Sequence, residues 1–106
     1  MPEFLLVITT LPDHASAEQL AGRIVESGLA ACVNIGARVT SIYMWQGAIE
    51  RGEEHLLTIK TTRDRYPALQ DAIVSGHPYE LPEVIAVPIE TGLSQYLAWI
   101  ESCTKS

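Results

Sequence analysis

The chain has 106 residues, enough for one domain over 1–106 and too few for two. Its 7 Lys and Arg stand against 13 Asp and Glu, a formal charge of -6, which argues against a nucleic-acid partner, whose phosphates require clustered positive charge. With 47% hydrophobic residues it can bury a core, yet no apolar run approaches the roughly 20 residues that cross a bilayer, so no membrane partner is expected.

Phe4 to Thr9 predicts a strand whose apolar residues run continuously, as in a strand covered on both faces. After Leu11-Pro12-Asp13, either Asp13 or Ser16 can cap a helix, Ser16 with Gln19 forming a capping box. Ala17, Leu20, Ala21, Ile24 and Val25 make one apolar stripe, and Ser27-Gly28 ends the helix. Leu29 to Ile35 predicts a second strand, interrupted at Gly36-Ala37 and resumed from Arg38 through Trp45 in β-branched and aromatic residues. Gly47 reads as a bulge and Glu50-Arg51-Gly52-Glu53 as the hairpin turn, before Glu54 to Thr62 returns as a strand. A helix over 64–75 carries Pro67 in its first turn. The prolines at 78 and 82 keep 76–82 irregular, Glu83 to Ile89 is a strand with Pro88 at an edge, and Ser94 opens a last helix to about Cys103. This order predicts an α+β fold of ferredoxin-like β-α-β-β-α-β plan with an added C-terminal helix: a four-stranded antiparallel sheet and a long second hairpin.

A domain of this size has a diameter of roughly 34 Å. A strand from Arg38 to Glu50 reaches about 43 Å, so the hairpin overhangs its own domain. Ile42, Tyr43, Met44, Trp45 and Ile49 lie on that arm, where a bare ribbon would leave them in water. The alternative is a hairpin that folds back on its own sheet. Self-association is the expected outcome, with the arm as interface.

The His-Pro-Tyr-Glu-Leu-Pro-Glu segment at 77–83 is the most pointed chemical feature. His77 on a proline-stiffened loop can offer an imidazole nitrogen to a metal, and Cys32 can offer a thiolate, a ligand that suits reduced copper. Equally, the loop reads as a rigid connector and Cys32 as a small core hydrophobe. His14 and His55 have no partner at metal-motif spacing. Lys60 on a central strand can hold an anion or form a structural ion pair. No phosphate loop, nucleophile elbow or catalytic triad order is present, so no catalysis and no organic cofactor are expected. Two cysteines 71 positions apart suggest a reducing compartment, and no secretory signal is expected ahead of Phe4, so the expected address is the cytoplasm.

Several blocks taken together resemble the CutA family of divalent-cation tolerance proteins. They are Thr-Thr-Leu-Pro-Asp at 9–13, Leu-Ala-Ala-Cys-Val-Asn-Ile at 29–35, Ser-Ile-Tyr-Met-Trp-Gln-Gly-Ala-Ile-Glu at 41–50, Leu-Thr-Ile-Lys-Thr at 57–61, the His-Pro-Tyr block, and Tyr-Leu-Ala-Trp-Ile at 96–100. The resemblance implies a ferredoxin-like subunit, a homotrimer joined through the hairpin, and an association with copper or other divalent cations. His77 matches the histidine of the family's His-Pro-Tyr motif and Cys32 the cysteine of its Leu-Ala-Ala-Cys block. Some bacterial members place a cysteine where this chain has Thr9 and a histidine where it has Gly76. A second expectation is a regulatory trimer of the PII kind, sensing a small ligand in clefts between subunits, with Tyr43, Trp45, Glu54, Lys60 and Tyr79 as cleft residues.

Overall fold

The structure is a computed structural model that describes residues 3–104. Strand β1 (Phe4–Leu11) lies inside the sheet with a partner strand on each edge, but within one chain only one of its faces is fully covered, short of the expected cover on both. Helix α1 (His14–Glu26) is capped by Asp13, whose carboxylate accepts the Ser16 backbone N–H at 2.8 Å; the Ser16–Gln19 box is not the cap. At its other end Gly28 takes φ +71, so that Leu29 N–H reaches Ile24 O and Gly28 N–H reaches Val25 O. This paired closure needs a left-handed residue, and glycine adopts that conformation without penalty.

Strands β2 (Cys32–Trp45) and β3 (Ala48–Thr62) form the long hairpin. Its turn corrects the sequence expectation. The chain reverses at Gln46 (φ 48) and Gly47 (φ 82), with Trp45 opposite Ala48. Two successive positive φ angles make the two-residue turn whose twist matches the flanking strands. Gly47 is therefore the turn, and Gly52 sits inside β3 opposite Ser41. The polar Glu-Arg-Gly-Glu run reads as a turn only because this part of the ribbon is exposed on both faces. The bulge falls instead at the Gly36-Ala37 interruption, where the pairing register shifts between Ile35 and Arg38.

A 3-10 turn (Arg63–Arg65) leads into α2 (Tyr66–Gly76), followed by the short β4 (Ile85–Ile89) and by α3 (Ser94–Cys103). All pairings are antiparallel and the strand order is β2-β3-β1-β4, the ferredoxin-like arrangement. Pro88 lies on the edge strand, where its missing N–H leaves no gap in a ladder. Alternation along β1 sends Leu5, Val7 and Leu11 to one face, where they meet Leu20 and Ile24 of α1 and Leu69 and Ile73 of α2. Phe4 points the other way and packs with Ala31 and with Ile100 of α3. Helix α3 covers only that end, so Leu6 and Ile8 stay half-buried on a largely open sheet face. The molecule measures 44 by 25 by 23 Å, an elongation that a 15-residue strand at roughly 3.3 Å per residue demands.

Candidate functional site

β4 pairs with β1 only as far as Ile8. Beyond that point His77, which ends α2, reaches β1 and places Nε2 2.7 Å from the Thr10 carbonyl. Its Nδ1 lies 3.1 Å from the Tyr79 backbone nitrogen. An amide N–H can only donate and a carbonyl can only accept, so Nδ1 carries the lone pair and Nε2 the proton. Both ring nitrogens are engaged. The Tyr79 ring packs 4.8 Å from that imidazole, and its hydroxyl donates to Glu54 Oε2 at 2.8 Å. A relay of contacts thus ties β1, the proline loop and β3 together.

Above this relay lies a cleft of about 960 Å³. One wall is Thr10, Ser41, Tyr43, Trp45 and Glu54 from the sheet; the other is the loop from Pro78 to Ile85. By register Ser41, Tyr43, Trp45 and Glu54 share one sheet face, because Ser41 opposes Gly52 and Tyr43 opposes Glu50. Burial pushes the Glu54 carboxyl up, but the Ser41, Tyr79 and Thr10 hydroxyls and the nearby His77 outweigh it and hold Glu54 below its ordinary value. Tyr79 is pushed well up, first by burial and then by the Glu54 carboxylate, which both accepts its proton and would repel a phenolate.

These opposite shifts predict a stability profile. A depressed carboxyl contributes stability that is present above its unfolded value of 4.5 and is lost as pH falls through the folded value below it. A raised phenol contributes stability that is present below 10.0 and lost as pH rises beyond it. Tyr79→Phe is therefore expected to flatten the alkaline limb and Glu54→Gln the acid limb, as read by urea unfolding across pH. Unchanged slopes in both variants would show that the pair is not coupled to folding.

The remaining sequence candidates lie elsewhere. Lys60 is at the opposite end of the same sheet face, donating to Asn34 Oδ1 at 2.8 Å with Nζ 5.9 Å from the Tyr96 ring centre. Of the five cleft candidates, Tyr43, Trp45, Glu54 and Tyr79 converge and Lys60 does not. Cys32 pairs with Lys60, which pairs with Leu6, whereas His77 binds at Thr10. Four residues of strand, about 13 Å, separate those levels, so one chain does not bring Cys32 and His77 together. Thr9 Oγ1 is buried without a partner among the described residues. At Gly76 a Cβ would stand 3.2 Å from Arg23 Nη2 and 3.3 Å from Leu20 Cδ1, so a side chain there needs those two flexible side-chain ends of α1 to shift by a few tenths of an ångström. Within one chain these residues do not fit a copper ion. Among the described residues no group of three or more His, Cys, Asp or Glu is assembled to hold a metal. Thr10, Ser41 and the Glu80–Ile85 part of the cleft wall were not among the cleft residues expected from the sequence, although 77–83 stood out as a segment, since only the hairpin register and the loop path bring them together.

No described helix is long and apolar enough to cross a membrane. The family of the CutA1 divalent ion tolerance protein matches residues 5–103. The human protein CutA is 47% identical over 97 residues, which is 92% of this chain and 54% of that protein. The chain thus spans about half the length of that relative. The divalent-cation tolerance protein CutA of Thermus thermophilus is 42% identical, covering 93% of this chain and 96% of its own. The crystal structure of CutA1, named a stable protein, from the psychrotrophic bacterium Shewanella sp. SIB1 superposes with a TM-score of 0.95 at 45% identity, covering 99% and 98% of the two chains. These relatives are named for tolerance or for the family and not for a reaction. The family match over most of the chain, the identity to these relatives and the superposition agree, and the chain belongs to the CutA1 divalent ion tolerance family.

Proposed function

We propose that the chain serves divalent-cation tolerance as a homotrimer in the cytoplasm that binds cations, copper among them, and catalyses no reaction. One observation carries the self-association: Ile42, Met44 and Ile49 are 65%, 66% and 73% exposed on a hairpin that projects beyond the core. Apolar side chains grouped in this way mark an interaction surface. The open sheet face adds Ile85 and Val87, which are also exposed. The trimeric count rests on the family resemblance, and the free thiols of Cys32 and Cys103 support a reducing compartment. His77 joins a cation site only when the proline loop opens and gives up one of its two hydrogen bonds.

Growth tests the reading. Bacteria sensitised to copper by loss of their own family member are expected to regain tolerance when they express this chain. The rescue should be lost when the hairpin is made polar by Ile42→Glu and Ile49→Glu. Failure of the wild-type chain to rescue, at normal protein levels, overturns the tolerance reading.

The convergence of Tyr43, Trp45, Glu54 and Tyr79 favours a second reading, a regulatory trimer whose cleft holds a small ligand. A thermal-shift screen in which metabolites, and not metals, raise the unfolding midpoint would single out that reading.

A further inference from the structure

We propose that His14 and His55 form a two-imidazole site for one divalent transition-metal ion, separate from the cleft and from the His77 loop. The two residues are 41 positions apart, and folding sets their ring centres 5.6 Å apart at an interplanar angle of 69°. Two imidazoles bound to one ion at about 2.0–2.1 Å have centres roughly 4.5–6.4 Å apart, from right-angle to linear ligation. The observed separation falls inside that range, so the ring spacing suits one bridging ion once the two rings turn their free nitrogens towards it.

Hydrogen bonding leaves one nitrogen of each ring free. His14 Nε2 lies 2.8 Å from the Glu18 carboxylate, and His55 Nδ1 lies 3.2 Å from the Gly36 carbonyl. Both oxygens are acceptors, so these nitrogens carry the protons and the lone pairs fall on His14 Nδ1 and His55 Nε2. A histidine that ligates a metal usually donates its other N–H to a carboxylate or a backbone carbonyl, which fixes the tautomer. This pair shows one of each. His77, with both nitrogens committed, shows the reverse.

The local fold explains why the site exists here. The register break between Ile35 and Arg38 releases the Gly36 carbonyl from the ladder and turns it to His55. Gly36 also lets β2 approach β3, since a Cβ there would stand 3.1 Å from the Leu56 carbonyl oxygen. Asp13, the cap of α1, directly precedes His14 and places a carboxylate in the neighbourhood of both rings. That negative charge offsets the positive end of the helix, which would otherwise repel a cation. The His14 side chain is 58% exposed, and among the described residues no third His, Cys, Asp or Glu joins the pair, so water completes the coordination shell. Imidazole suits zinc, nickel and copper(II), with copper(II) the tightest. The site lies within one chain and so does not depend on the assembly or tolerance readings.

Zinc chloride, which is diamagnetic, is the probe, and histidine-ring carbon–proton spectra of the full chain are the readout. The His14 and His55 ring signals are expected to move together and saturate at one zinc per chain, while those of His77 stay in place. His14→Gln and His55→Gln are each expected to weaken zinc binding at least tenfold with the backbone amide spectrum otherwise preserved. Unmoved His14 and His55 signals, movement confined to His77, or wild-type affinity in either variant would overturn the site.

Discussion

Static light scattering on the wild-type chain at micromolar concentration is expected to report a particle of three 11.6 kDa copies, and Ile42→Glu with Ile49→Glu to shift it towards single chains. Register explains the size of the effect. Met44 lies directly opposite Ile49, and Ile42 falls two residues along on the same ribbon face, so the three form one patch. Tyr43 and Trp45 point to the other face. A ribbon that is apolar on both sides is not satisfied by folding back, because that covers one side only. Burying a side chain of this kind contributes about 1.5–3 kcal/mol, so two together contribute about 3–6 kcal/mol per chain. At 1.4 kcal/mol per tenfold, dissociation should strengthen by roughly a hundredfold to ten-thousandfold. The core residues Val7, Leu57 and Ile59 lie far from the substitutions, so far-UV circular dichroism should keep its native form. A wild-type particle of one folded chain under those conditions would remove the interface.

His77→Ala is expected to lower the stability of the metal-free protein by about 2–4 kcal/mol, measured as a reduced urea midpoint in the presence of a chelator. The imidazole makes two hydrogen bonds, one to the carbonyl of Thr10, a residue only 5% exposed. Each bond has a net value of about 1 kcal/mol, and leaving a buried partner unsatisfied adds about 1–3 kcal/mol. Tyr79 also loses the anchor that aims its hydroxyl at Glu54. A residue whose main role is metal ligation would show the opposite pattern, with stability unchanged until metal is added. A metal-free loss under about 0.5 kcal/mol would therefore show that His77 is not a latch.

Much of the fold was legible in the residues because the signals were local. Asp13 as one of two candidate caps, the stripe from Ala17 to Ile24 and Gly28 placed α1 to within a turn, while Val25 at the edge of that stripe is exposed. Pro67 and Pro88 marked a helix start and an edge strand, each through its missing N–H. The hairpin was harder. Both Gly47 and Gly52 lie in plausible turn surroundings, and the choice depends on which residues pair across fifteen positions of strand. Pairing that places Met44 against Ile49 requires the turn at Gln46-Gly47. The site was legible to a lesser degree. Tyr43 and Glu54 could be suspected as polar and aromatic groups on one arm, but Lys60 could not be excluded without knowing that it faces Asn34 and Tyr96.

The amino-acid order by itself determined the succession of strands and helices, the ferredoxin-like plan and the membership in the CutA1 family, because hydrophobic period, capping and motif identity are properties of neighbouring residues. Only the tertiary structure decided that His77 has no free ring nitrogen, that Cys32 lies at a different level of the sheet, and that His14 meets His55 beside the Gly36 bulge. These are matters of register and of direction across long stretches of chain. A single inserted residue in a strand sends every later side chain to the opposite face, and no local pattern records which face that will be.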